Sequence, residues 1–367
     1  MNKLTNSIFR SLYQDNFDKN FVFSPASYLE AIHNLSLCLK GENLRELLDS
    51  LEVSESELVT YIREYKSNLN FESYNVLLYS NEYWAALNQE VLQLIAEVGG
   101  NIESFTNPDE LVTRINKKVV EKTHGKIDNL VSKRDFTEFT KFIILNCVYF
   151  KKEWLYEFND NKNYIDEPFY GVGGVSQIRF LRNLKRYNFY EDNDLDIVEL
   201  PYLRSDICCY LFVPSKNKTV FDLINNLEET YNKINSVKWN YNYHNVHLTV
   251  PPFKIESTFD LEKGTKLAGV NKIWEWNKDW SLVNFDKLLP EASLKVEKII
   301  QKVYIDFTRK GTEAAAATVI FMNISGCIIS LNPPIIKYVR ADNPFIYVLA
   351  NSKKKDNPLF MGVVNKV

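Results

Sequence analysis

Lys310-Gly311-Thr312-Glu313-Ala314-Ala315-Ala316-Ala317-Thr318-Val319-Ile320-Phe321-Met322-Asn323-Ile324-Ser325-Gly326 is the stretch that decides how this chain is read. Its first part is small and, after Lys310, uncharged apart from Glu313; its second part is strongly β-prone. Four alanines in a row favour helix in isolation. As a strand, however, Thr312, Ala314, Ala316 and Thr318 share one face, because side chains alternate along an extended chain. Nothing on that face is charged or larger than threonine. It can therefore enter a sheet interior without the desolvation cost of a buried lysine or glutamate. Glu313 falls on the opposite face. The segment from about 310 to 334 is read as an exposed loop in one state and a central strand in another.

Outward from this stretch the chain reads as one continuous domain over residues 1–367, with no linker, repeat or low-complexity tract. The first half is mainly helical. Asn2 to Tyr13 and Tyr28 to Leu39 carry apolar residues at three- and four-residue spacing, and Ser24-Pro25 supplies a cap and a first-turn proline for the latter. Leu44 to Ser50, Glu55 to Ser67, Asn88 to Val98 and Asp109 to Lys122 behave likewise. Strands are expected at Val76 to Tyr83, Phe142 to Tyr149, Ile197 to Leu200, Cys208 to Val213, His247 to Val250, Pro344 to Leu349 and Leu359 to Val363. Helices first and strands later, without βαβ alternation, make an α+β fold.

Composition excludes several functions. The 44 basic and 47 acidic residues leave a formal net charge of -3, and no basic run forms a face for nucleic acid or an anionic membrane. Lys353-Lys354-Lys355 reads as a solvated hairpin turn. The N-terminus lacks the apolar core and cleavage site of a secretory signal, and no apolar run reaches bilayer length. A cytoplasmic location, or secretion by a route without a visible signal peptide, is expected. The five cysteines, Cys38, Cys147, Cys208, Cys209 and Cys327, are odd in number and irregularly spaced, which suits reduced thiols better than disulfides. Nucleotide and hydrolase motifs are absent. His244 and His247 should point to opposite faces of a strand, so no joint metal site is expected there. Asp192, Asp194 and Asp196 alternate but lack the glycine turn and bidentate glutamate of a calcium loop. Cys147 lies in an apolar strand, where a thiol is usually inert. No metal, no cofactor and no enzymatic activity are expected.

Several segments carry a family resemblance across nearly the whole chain. Gly311-Thr312-Glu313-Ala314-Ala315-Ala316-Ala317-Thr318 resembles the reactive-loop hinge of inhibitory serpins. Phe21-Val22-Phe23-Ser24-Pro25-Ala26-Ser27, followed by Lys40-Gly41, resembles the serpin segment beneath the main sheet. Thr123-His124-Gly125-Lys126-Ile127 is similar to another shared motif. Asn146-Cys147-Val148-Tyr149-Phe150-Lys151, with Trp154 and Phe158 after it, resembles the family's central strand and its tryptophan. Glu199-Leu200-Pro201-Tyr202, Pro252-Phe253-Lys254-Ile255-Glu256, Ala341-Asp342-Asn343-Pro344-Phe345 and Leu359-Phe360-Met361-Gly362 follow in the family's order.

The resemblance implies a metastable fold with N-terminal helices, a five-stranded main sheet, two smaller sheets and an exposed reactive loop. It implies suicide-substrate inhibition of a serine protease, with Ser24, Ser27, Asn146, Trp154 and Gln301 at the sheet opening. Counting from the hinge places the scissile bond at Ser325–Gly326, which suits an elastase-like target. The alternatives for the bond are Phe321, Met322, Asn323 and Ile324, of which Met322 or Phe321 would suit a chymotrypsin-like pocket. No basic residue and no aspartate lies between Thr312 and Ile336. That disfavours trypsin-, thrombin- and caspase-type targets. A monomer is expected, and no glycosaminoglycan site is evident. The alternatives are a non-inhibitory binding or chaperone role and cross-class inhibition of a cysteine protease. Two departures stand out. The family's glutamate before the hinge and its lysine partner are replaced by Arg309 and Pro252, and a family histidine near Asn146 is replaced by Gln301, which cannot titrate.

Overall fold

The computed structural model of the protein describes residues 1–67, 72–136, 140–159, 165–236, 243–275, 287–289, 295–312 and 335–367. The helices largely follow the apolar three- and four-residue spacing, and several of them start at a side-chain cap. They are α1 (Lys3–Asp15), α2 (Pro25–Ser36), α3 (Gly41–Leu51), α4 (Leu58–Ser67), α5 (Gln89–Glu97) and α6 (Pro108–Lys122), with shorter α7 (Val220–Asn225), α8 (Leu227–Ser236) and α9 (Glu262–Leu267) later. The Asn2 side chain accepts from the Thr5 amide to start α1, and Ser24 with Pro25 starts α2.

The strands in chain order are β1 (Phe21–Phe23), β2 (Glu72–Ser80), β3 (Ile102–Phe105), β4 (Phe142–Tyr149), β5 (Lys152–Glu153), β6 (Glu167–Gly171), β7 (Gly174–Ile178), β8 (Leu181–Glu191) and β9 (Leu195–Pro201). They continue with β10 (Ile207–Pro214), β11 (Tyr243–Val250), β12 (Phe253–Asp260), β13 (Lys298–Phe307), β14 (Gly311–Thr312), β15 (Ile336–Arg340), β16 (Phe345–Asn351) and β17 (Phe360–Val364). The strand expected at Val76 to Tyr83 begins instead at Glu72 and stops at Ser80, and Asn81–Ala86 wind into 3-10 turns.

The main sheet runs β3-β2-β4-β13, with β12 on the far side of β13 and the short β14 and β5 joined at one end. β4 and β13 are parallel and directly paired, from Lys298 opposite Ile143 to Tyr304 opposite Tyr149. A second sheet orders eight strands as β1-β17-β16-β10-β9-β8-β11-β15, and β6 with β7 makes a third. The second sheet is therefore larger than expected, and β8 is the cause. This one long strand pairs with β11 from Leu181 to Asn188 and with β9 from Asn188 to Glu191, fusing what would be two smaller sheets.

Helices cover both faces of the main sheet. Phe142 and Ile144 of β4 join the core formed by α1 to α5, whereas Ile143, Leu145, Cys147 and Tyr149 pack with Leu111, Ile115 and Val119 of α6. A strand covered on both faces reads as a near-continuous apolar run, as Phe142 to Tyr149 does apart from Asn146. No helix among the described residues is long and apolar enough to cross a membrane.

Candidate functional site

The β4–β13 seam is built differently at its centre and at its top. At the centre, Asn75 of β2 stands opposite Asn146 of β4, which stands opposite Gln301 of β13. All three are buried. This row meets the first turn of α2. The Asn146 amide donates to the Ser27 carbonyl at 2.8 Å, to Ser27 Oγ at 2.7 Å and to Asn75 Oδ1. Gln301 Nε2 donates to Asn146 Oδ1 at 2.6 Å and to the Ser24 carbonyl at 3.0 Å, and its Oε1 accepts from the Ser24 amide at 2.9 Å. Ser24 Oγ donates to the Leu359 carbonyl at 2.7 Å, tying the cluster to the approach to β17. Ser24, Ser27, Asn146 and Gln301 thus converge, as four of the five expected sheet-opening residues.

Trp154, the fifth, stands apart at the top. There β5 and β13 diverge, and Gly311 and Thr312 lie between them as β14, pairing with Glu153 and Lys152 on one side and Thr312 with Phe307 on the other. The first two hinge residues are therefore already buried, where a freely exposed loop starting at Lys310 was expected. A Cβ at Gly311 would collide with the Lys152 carbonyl oxygen, so this approach requires glycine. Thr312 has no solvent exposure and shares a hydrogen bond of 2.5 Å with the Tyr202 hydroxyl. Tyr202 is stacked on Trp154 with centroids 4.4 Å apart at 17°. Burial holds the Tyr202 phenol well above its ordinary range, so it stays neutral.

Three successive carbonyls of the turn accept hydrogen bonds from the chain that follows β5. Trp154 Nε1 donates to Thr308 O at 3.0 Å, the Phe158 amide to Arg309 O at 3.0 Å and the Trp154 amide to Lys310 O at 2.9 Å. Pro252 is exposed just before β12 and offers no charge, but Arg309 pairs with Glu157 at 3.0 Å. The hinge residues Glu313, Ala314, Ala315, Ala316, Ala317 and Thr318, and the reactive-bond candidates Phe321, Met322, Asn323, Ile324, Ser325 and Gly326, lie outside the described residues. Sequence reasoning missed Asn75, Glu157 and the hinge contact of Tyr202; only Tyr202 carried a signal, in the Glu199-Leu200-Pro201-Tyr202 motif.

The remaining candidates have structural partners. Burial pushes the Cys147 thiol up to about 12, which makes it a poor nucleophile. His244 lies against Phe189 and His247 against Tyr338. Asp192 pairs with Lys233 at 2.7 Å and Asp194 with Lys218 at 3.1 Å.

A family model described as Serpin (serine protease inhibitor) matches residues 1–367. Iripin-8 of Ixodes ricinus is 26% identical over 370 residues, covering 95% of this chain and 88% of that protein. A serpin-like protein of Methanosarcina acetivorans is 26% identical over 372 residues, covering 95% and 82%. Among solved structures, Serpin48 of Tenebrio molitor superposes with a TM-score of 0.84 at 23% identity, covering 100% of this chain and 96% of that one. The thermophilic serpin Tengpin in its native state gives 0.82 at 21% identity, covering 99% and 93%. Serpins are in general protease inhibitors rather than enzymes, with a target protease as the usual partner. By its whole-length match and its fold, the chain belongs to the serpin family.

Proposed function

We propose that this chain, acting as a monomer of one domain, traps a serine protease of elastase- or chymotrypsin-like specificity. The protease serine attacks the carbonyl of Ser325, the amine of Gly326 leaves, and the acyl-enzyme remains joined to the cut loop. The hinge then enters the main sheet and carries the protease with it. Loop insertion in serpins is a standing case of stored strain released by strand addition.

One observation carries this reading. β4 and β13 pair directly from Lys298 to Tyr304, and at the end of that pairing the hinge already lies in the divergence of β5 and β13. The sheet thus has both an entry point and a seam to open. The faces of Ala314, Ala316 and Thr318 can follow Thr312 inward without burying charge. Bulkier Phe321 or Met322 before the cut would shift the preference toward a chymotrypsin-like pocket.

The test is incubation with pancreatic elastase, chymotrypsin and a papain-type cysteine protease. A complex with elastase or chymotrypsin that survives boiling in detergent is expected, with the cut mapped by mass spectrometry to Ser325–Gly326. Digestion of the loop with the protease left fully active would overturn the inhibitory reading in favour of a binding or chaperone role. A trapped cysteine protease alone would move the target to that class.

A further inference from the structure

The turn from Thr308 to Thr312 is held from two sides, and neither hold uses the residue pair the family pattern supplies. On the inside, Tyr202 lies between Trp154 and Phe150, whose ring centroid is 5.1 Å away, and its hydroxyl reaches Thr312 of the hinge. Tyr202 and Thr312 are both buried, so neither hydroxyl can turn to water if the other is lost. On the outside, Arg309 and Glu157 are partly exposed, and the Arg309 guanidinium reaches the carboxylate while the backbone of Phe158 holds the Arg309 carbonyl.

The geometry points to Tyr202 as a positioning residue for the hinge, with the Arg309–Glu157 pair as an outer clasp. Together they keep Gly311 and Thr312 docked before any protease arrives. Insertion then resumes at Glu313 rather than at Gly311. The charge order of the clasp is the reverse of the family's: the cation sits before the hinge, and the carboxylate lies on the segment after β5 rather than on the strand beside β13. The consequence for inhibition rests on the trapping reading above; the docking does not.

Hydrogen exchange of the intact protein, read by mass spectrometry over residues 308–312, tests the docking without a protease. Tyr202→Phe leaves the Thr312 hydroxyl buried and unpaired, and exchange there should rise by about tenfold. Thr312→Val should do the same from the other side. The double variant places two apolar groups together and should return to within about threefold of the parent. Exchange over Ile299–Val303 should stay constant throughout, which a general loss of stability would not allow. Glu157→Arg should loosen the same turn by roughly threefold, as suits an exposed pair. Adding Arg309→Glu should restore it.

Unchanged exchange in the Tyr202→Phe variant, or single effects that simply add in the double variant, would overturn the inference. If the cycle behaves as expected but chymotrypsin and elastase are not trapped, the docking stands and the inhibitory reading falls.

Discussion

The centre and the top of the β4–β13 seam are about as different as two parts of one interface can be. At the centre, the strands are paired and a buried row of amides, Asn75, Asn146 and Gln301, is locked to the first turn of α2. At the top the strands are already parted, and the space is filled by Gly311 and Thr312 against Trp154 and Tyr202. Opening the centre breaks several buried hydrogen bonds at once, each costly to leave unmade. Extending the top adds a strand to an edge that is already available. Sheet opening should therefore run from the top toward the centre, with the amide row as the point of greatest resistance.

The largest expected break in this comparison comes from Thr312→Arg. A charge at a position without solvent exposure and beside the neutral Tyr202 phenol has no partner, at about 3–5 kcal/mol. The hinge can escape that cost by leaving the top, so the melting temperature should change little. Insertion should stall instead, and the protein should be cut by chymotrypsin or elastase as a substrate. A Thr312→Arg protein that still traps protease near one-to-one would show that the top is not the entry point.

Asn146→Ala attacks the other half of the comparison. It removes the acceptor of Gln301 Nε2 and the donor to Ser27 and Asn75, in a place closed to water. A cost of about 2–3 kcal/mol is expected from the orphaned groups. The melting temperature should fall by several degrees. The variant should also associate on mild warming, as a loosened seam accepts a strand from a second copy. If stability falls but no association follows, the amide row stabilises the fold without guarding the seam.

How much of this was legible in the sequence follows the same division. β4 was read with correct ends because both of its faces are covered and its residues, Asn146 apart, are apolar. β13 was missed because Gln301 and Lys302 interrupt it. Gln301 is the amide that locks the seam, and Lys302 is sunk with its amine on the Asn129 carbonyl at 2.7 Å and the Glu256 carboxylate at 2.8 Å. β8 was missed for a similar reason, since Arg182, Asn183, Lys185 and Arg186 disguise it. The hinge motif reads as a segment able to insert, whereas nothing local in it signals that Gly311 and Thr312 lie docked between β5 and β13. Thr312 and Tyr202 are 110 residues apart, and Arg309 and Glu157 are 152 apart, with no local pattern joining either pair.

The smallest expected effect is the most specific, and it concerns whether the centre is sealed. Gln301→His restores the residue type that the family resemblance leads one to expect. A neutral imidazole can accept from the Ser24 amide with one nitrogen and donate to Asn146 Oδ1 with the other. The Ser24 carbonyl, which Gln301 also contacts, keeps the Tyr28 amide at 3.1 Å as a donor. At pH 8 the change should therefore cost less than about 1 kcal/mol. Below the unfolded histidine value near 6.5 the outcome reverses. A charged imidazole would point an N–H at the Ser24 N–H and carry charge into a site without solvent exposure. Its folded pKa must then lie below the unfolded one, so the unfolded state binds the proton first and stability falls as pH falls. The slope approaches about 1.4 kcal/mol per pH unit while only the unfolded state is protonated. Urea unfolding of the parent and the variant between pH 8 and pH 5 measures the difference, since glutamine contributes no such slope. Parallel profiles would mean that water reaches position 301 in the native state, and the contrast between a sealed centre and a parted top would fail.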